Sequence, residues 1–399
     1  MPSPNILVTG LCGYRHHDAE RELRQLGVVH VAQIPDGPRV QVVTTGLEQS
    51  KRLLTDPRLS KDSTRLTRVI TEQLAAQGRA ARLSGMYGPT MMNADPPQHT
   101  RLRALVSKAF NAAGVNRLRP RIEQLTGELL DTLPTGTEVD LIATFAFVLP
   151  ITIVCELLGV PVRDRGLLHS WTSAMVLDDP DKTMPASAAI SGYLAQLIEA
   201  KRRSPDEGLC SRLVHASLDE DALTDDELTA MLLLLIVSGH ETTSGLIGNV
   251  VYALLADPAR WQQVVDDPSL VRAAIEETCR YDPSTRNSTH RVTTEPIEVG
   301  GTIIPADEIV LVSLRAAGRD PAANDRPDEF DLHRTSRQHL GFGHGIHNCL
   351  GSRLATAVTE AAVTQLTRRF PATRLLDPQP PRVASALVGG VAELRLELA

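Results

Sequence analysis

The sequence predicts a mainly α-helical chain with small β regions (α+β), folded as one large domain over residues 1–399 around a long central helix. Three observations predict it. Helical apolar spacing recurs from Gln98 to Tyr281, β-branched alternation occurs only in short runs near residues 28–44 and 283–314, and no linker, internal repeat or low-complexity tract divides the chain. A content of 42% hydrophobic and 22% charged residues is ordinary for a globular protein and leaves enough apolar surface for a sizeable core.

Residues 17–27 predict a short helix ending at Gly27. Val28–Ile34 and Val40–Thr44 alternate about a turn at Asp36–Pro38 and predict a hairpin. Leu47–Thr55 has helical spacing. Ser60–Pro97, with Gly78, Gly85, Gly88, Pro89 and the Met91–Met92 pair, reads as irregular. Five helices then follow at Gln98–Ala112, Val115–Leu133, Leu141–Leu158 with a bend at Pro150, Val162–Leu177 and Ala186–Arg203, the last two joined by a polar connection over Asp178–Lys182. Thr224 with Glu227 three residues later is a capping box that opens the central helix, which continues to Ala256 and spans about 45–50 Å at 1.5 Å per residue. Two shorter helices end near Tyr281. Short strands occupy Pro283–Leu314, a meander fills Arg315–Leu340, Leu350–Phe370 is helical, and Ala384–Glu397 reads as a hairpin around Gly389 and Gly390.

With 41 Lys and Arg against 48 Asp and Glu, the net charge of −7 argues against a nucleic-acid or acidic-membrane binder. The N-terminus has no charged n-region, and apolar runs such as Met231–Val237 fall short of the roughly 20 residues of a membrane span, which predicts a cytoplasmic protein. Cysteines at 12, 155, 210, 279 and 349 are odd in number and widely spaced, as expected of reduced thiols without a disulfide framework or zinc knuckle.

Chemistry concentrates in two stretches. Around Cys349, Gly341, Gly343, Gly345 and Gly351 permit positive φ and close backbone approach, Phe342 walls the sulfur, and a helix begins just beyond, so its amides favour the thiolate that binds iron. In the central helix, Ser238, Gly239, His240, Glu241 and Thr242 place polar groups where a buried helix would carry Leu or Ala. A zinc reading of His240-Glu241 fails because residue 244 is serine where His-Glu-x-x-His requires histidine. Glu277 and Arg280 share a helical face at i, i+3 spacing, as do His99 and Arg103 at i, i+4.

The order Phe342-Gly-x-Gly-x-His347-x-Cys349-x-Gly351 resembles the haem-binding signature of the cytochrome P450 family in its soluble bacterial form, and the resemblance covers nearly the whole chain. It implies haem b between the central helix and the helix after the cysteine loop, with Cys349 as metal ligand and O2 as co-substrate. Gly239 would let the haem approach, and Glu241 and Thr242 would relay protons beside a local opening of the helix, Thr242 bonding back to the carbonyl of residue 238. His99, Arg103, Arg291 and His347 match the propionate-binding positions. Glu277 and Arg280, joined by Arg334, would fix the cysteine loop. Ser238 departs from the small apolar residue usual before the glycine, and Thr356 and Val358 replace Arg and Glu common in relatives.

The activity implied is insertion of one oxygen atom into a sizeable, mostly apolar small molecule. The expected pocket includes Met91, Met92, Leu234, Ser238, Arg286, Leu387 and Val388, with Arg286 meeting a carboxylate or carbonyl. Oxidative ring formation or aryl coupling fits the same scaffold, and a silent auxiliary binding protein is disfavoured by the complete residue set. No electron-transfer module fits the chain, so NAD(P)H electrons would arrive through separate proteins, a ferredoxin (or flavodoxin) and its reductase. Arg101 and Arg353 are candidates for their docking patch, and the expected state is a monomer.

Overall fold

The computed structural model describes residues 6–7, 23, 25–34, 36–175, 179–216 and 223–399; most of the helix expected at 17–27, together with Cys12, lies outside them. In chain order the strands are β1 (Ile6–Leu7), β2 (Val29–Gln33), β3 (Arg39–Val43), β4 (Leu59–Ser60), β5 (Glu138–Asp140), β6 (Arg291–Thr293), β7 (Ile297–Val299), β8 (Thr302–Ile304), β9 (Ile309–Val312), β10 (Arg374–Leu375) and β11 (Arg395–Glu397). The helices are α1 (Leu47–Thr55), α2 (Ser63–Ala76), α3 (Gln98–Phe110), α4 (Ala112–Asp131), α5 (Val148–Leu158), α6 (Arg165–Met175), α7 (Pro180–Arg203), α8 (Leu209–Ala216), α9 (Asp225–Leu255), α10 (Pro258–Asp266), α11 (Leu270–Tyr281), α12 (Leu314–Gly318) and α13 (Ser352–Arg369).

The capping box forms as its spacing demands. Thr224 Oγ1 accepts from the Glu227 amide at 3.2 Å, and Glu227 Oε2 accepts from the Thr224 amide at 3.0 Å. From there α9 runs 31 residues, and from Met231 to Val237 every side chain is buried, which marks a helix enclosed on all sides. By length and composition it could cross a membrane, yet here it is the core element on which α5, α7, α11 and α13 pack.

A mixed six-stranded sheet, in the order β1-β2-β3-β9-β6-β4, stands to one side. Its β2–β3 hairpin is the expected one, with Val29 opposite Val43 and Gln33 opposite Arg39. Strand β11 lies between β10 and β5, and β7 pairs with β8.

Four local readings are corrected. The stretch expected to be irregular contains α2: Asp62 caps it by accepting from the Arg65 amide at 2.8 Å, and Leu66, Val69, Ile70 and Leu74 form one buried face. The helix expected at 141–158 opens with a π-helical turn over Ile142–Ala146, where the Phe147 amide donates to the Ile142 carbonyl, and Pro150 follows near the start of α5. The connection expected over Asp178–Lys182 is shorter, because Asp179 caps α7 and Pro180 begins it. The hairpin expected at Ala384–Glu397 closes through a single bridge, Arg382 to Val391, while β11 pairs with β5 and β10 instead. Helix α8 had no counterpart in the sequence reading.

Candidate active site

The cysteine loop is built from backbone bonds. The Cys349 amide donates to the Phe342 carbonyl (2.8 Å), and that of Gly343 to the Leu340 carbonyl (2.7 Å). Gly343 and Gly345 adopt φ of 73° and 71°, so glycine is required at both. Gly341 is required for another reason: a Cβ there would lie 2.7 Å from the Cys279 carbonyl oxygen. Gly351, the N-cap of α13, has a φ of −84° and borders the cavity onto which the Cys349 sulfur opens. The Cys349 sulfur opens onto a cavity while enclosed by its own loop. Burial pushes its thiol up, and the amides of Gly351 and Ser352, with the Arg103 charge, pull the other way.

The cavity, about 980 Å³, separates Cys349 from the middle of α9. There three hydroxyls bond back along the helix: Ser238 Oγ to the Leu234 carbonyl (2.5 Å), Thr242 Oγ1 to that of Ser238 (2.9 Å) and Thr243 Oγ1 to that of Gly239 (3.0 Å). The backbone stays α-helical throughout, so the expected local opening is absent: the hydroxyls share carbonyls without displacing amides. Glu241 and Thr242 both line the cavity. Gly239 lines it as well, but its Cβ direction meets Val154 Cγ2 at 3.1 Å, so its small size serves the close packing of α5 on α9.

On the sheet side of the cavity the cations gather. His99, Arg103, Arg291 and His347 all border it, and the His99 and His347 rings lie 4.3 Å apart. Behind them is Lys61, fully buried, its Nζ donating to Thr289 Oγ1 (2.5 Å) and the His290 carbonyl (3.2 Å). The nearby carboxylate, Asp95, accepts from Ser60 Oγ and the Lys61 amide. Burial lowers His347 to about 2, reinforced by Lys61, His99, Arg291 and Arg103; it also lowers Arg291 to about 10 and His290 to about 4. Both His99 ring nitrogens, Arg291 Nε and His290 Nε2 are buried without a hydrogen-bond partner. So many buried, unsatisfied basic groups call for anionic oxygens in the cavity.

The cytochrome P450 family model matches residues 167–388. Cytochrome P450 107B1 of Saccharopolyspora erythraea is 46% identical over 83% of this chain and 82% of its own. The chain belongs to the cytochrome P450 family. The 6-deoxyerythronolide B hydroxylase of the same organism is 39% identical over 84% of this chain and 83% of its own. The structure of the tirandamycin C-bound P450 monooxygenase TamI superposes with a TM-score of 0.89 at 39% identity, covering 96% of this chain and 97% of that one.

As a P450, the protein is a monooxygenase that uses haem iron, O2 and NAD(P)H electrons delivered by redox partners. The residues fit haem. Its two carboxylates match the cation cluster with its orphaned nitrogens, and its iron matches a cavity-facing sulfur supported by amide dipoles.

Behind the P450 cysteine loop, Glu277 and Arg280 are completely buried and paired through two bonds of 2.8 and 2.9 Å; Arg334 Nε reaches the same carboxylate at 3.1 Å. Both guanidinium groups also bind the carbonyls of the meander, Arg280 those of Gly318, Pro327 and Glu329, Arg334 those of Asp325, Arg326 and Glu329. The sequence thus named a triad that the structure assembles.

Met91, Met92, Leu234, Ser238, Leu387 and Val388 line the cavity, whereas Arg286 does not. Thr285 bridges to Val388 and faces the cavity; the next residue in an extended segment faces away, and the Arg286 side chain packs against Gly389. Arg101 pairs with Glu227 at the start of α9 while staying partly exposed, and Arg353 is exposed. Sequence reasoning missed Lys61 and the group that holds the 384–390 loop in place. In that group Asn249 Nδ2 donates to the Asp282 carbonyl (2.8 Å), Arg382 Nη1 to Asp282 Oδ2 (2.9 Å) and the Val391 amide to Asn249 Oδ1 (3.2 Å). Its members come from three distant stretches, and no spacing pattern announces them.

Proposed function

We propose that this P450 hydroxylates or epoxidises a macrolactone or related polyketide, a sizeable and mostly apolar small molecule. The observation that carries this reading is the cavity of about 980 Å³, whose walls include Met91, Met92, Leu234, Leu387 and Val388. The compounds named for the relatives, 6-deoxyerythronolide B for the hydroxylase and bound tirandamycin C for TamI, supply the class.

Bound haem supplies the oxidising chemistry, placing one atom of O2 in the substrate and releasing the other as water. In this reading Cys349 is the thiolate ligand, and His99, Arg103, Arg291 and His347 hold the propionates. Glu241 and Thr242 deliver protons: Thr242 Oγ1 spends its own hydrogen on the Ser238 carbonyl, so its lone pairs accept from a cavity donor, while the Glu241 carboxyl carries a proton to the cavity wall. Ser238 is in the same condition, its hydroxyl hydrogen turned to Leu234. Glu277, Arg280 and Arg334 keep the loop rigid. The protein acts as a single-domain monomer in the cytoplasm, served by a ferredoxin and its reductase.

The test is the absorption spectrum of the purified protein, reduced and exposed to carbon monoxide, for wild type and Cys349→Ser. A strongly red-shifted Soret band that vanishes in the variant is expected. Titration with 6-deoxyerythronolide B should then shift the resting Soret band. If small, highly charged compounds shift it and macrolactones do not, the substrate class is wrong.

A further inference from the structure

His240, between Gly239 and Glu241, is completely buried and absent from the cavity wall. Its Nδ1 lies 2.7 Å from the Ile236 carbonyl, which accepts only from a protonated nitrogen and so fixes Nδ1–H. Nε2 has no hydrogen bond and points at Glu241, with Oε1 3.5 Å away. Phe147 packs edge-on against the His240 ring at 4.9 Å and against His169, on α6, at 4.2 Å. His169 is half-buried, and Phe147 separates its ring from that of His240. They also sense one another: burial lowers His169, the His240 charge lowers it further, and Glu241 raises it.

We propose that His240 is a positioning residue for proton delivery, its Nε2 holding the proton that Glu241 passes to the cavity. This rests on the proton-relay reading of Glu241. In the step, the Nε2–H bond breaks as an Oε1–H bond forms, and neutral His240 keeps its Nδ1–H on Ile236. Glu241 then gives a proton toward Thr242, and one from solvent, returned through the same carboxylate at the cavity wall, restores Nε2–H. With Nδ1 committed to a carbonyl, the imidazole has one exchangeable site, and it faces the carboxylate.

The test uses holoenzyme selectively labelled with ¹⁵N-histidine, in the reduced, carbon-monoxide-bound form, which is diamagnetic. His240 resonances are assigned by their loss in His240→Gln. Glu241→Gln should move the Nε2 resonance and leave Nδ1 in place; an unmoved Nε2 overturns the proposal. A second readout needs no identified substrate: peroxide released per NADPH consumed, with a surrogate ferredoxin and reductase and no added compound. His240→Gln should raise the peroxide-to-water ratio about tenfold, Glu241→Gln likewise, and the double variant no further. A ratio unchanged in His240→Gln, or additive effects in the double variant, would also overturn it. Absence of the red-shifted carbon monoxide band in wild type would instead count against the haem-thiolate assignment on which the relay depends.

Discussion

Thr242 holds its hydroxyl by donating to the Ser238 carbonyl at 2.9 Å, which orients the oxygen lone pairs without any other partner. Thr242→Ala removes a cavity-lining acceptor while leaving the cation cluster and the cysteine loop intact. The expected outcome is full haem content and an unchanged carbon monoxide spectrum, with product per NADPH falling about tenfold or more and the difference appearing as peroxide. Equal product yield in the variant would remove Thr242 from the proton path. At this scale the sequence was informative where chemistry is local: Ser238 to Thr242 sit on one helical turn and a half, and Phe342 to Gly351 in one loop, so residue order alone placed them. It misled where orientation depends on partners. Arg286 was assigned to the pocket because its segment lines it, but the bridge from Thr285 to Val388 and the packing of the Arg286 side chain against Gly389 are set by residues distant in the sequence. Lys61 went unremarked, since only the approach of Thr289 and His290 buries it.

Among the elements, the central helix was readable because its signals agree: a capping box at Thr224, acids in the first turn, and apolar residues thereafter. Helix α2 carried comparable signals in Asp62, Leu66, Val69, Ile70 and Leu74, but the glycines at 78, 85 and 88 that follow it imposed an irregular reading on the whole stretch. The helix packs with Val40, Val42, Val292 and Leu311 of the sheet in one hydrophobic cluster, and Ile70 is 1% exposed while also bordering the cavity. Ile70→Ala should therefore cost about 2–5 kcal/mol in urea-induced unfolding, within the range for truncating a buried side chain. The same change enlarges the cavity, so binding of a macrolactone should weaken less than stability does. A cost below about 0.5 kcal/mol would mean that α2 does not pack as a core element.

Across the whole molecule, what could not be foreseen is how distant stretches are tied together. Residues 41–43 pair in parallel with 310–312, and β11 joins strands from residues 138–140 and 374–375; hydrophobic spacing gives the strands but not their neighbours. The Glu277 carboxylate performs the same joining task with charge. It binds Arg280 on its own helix, Arg334 from the meander and the Asp331 amide, while Arg280 and Arg334 fan out to carbonyls between residues 318 and 329. Next to it on α11, the Cys279 carbonyl touches Gly341, so any shift of this helix reaches the loop that carries Cys349. Glu277→Gln keeps the volume and one acceptor oxygen but leaves two buried guanidinium groups without a counter-charge. Removing one partner from a buried ion pair costs roughly 3–5 kcal/mol, much more than the loss of an exposed, solvent-screened pair such as Arg68–Glu72. The variant should unfold at lower urea and lose haem faster to an apo-globin acceptor, whereas Glu72→Gln should change neither. If Glu277→Gln retained both stability and haem, the meander would have to be held by its carbonyl bonds alone, and the buried carboxylate would be dispensable to the cysteine loop.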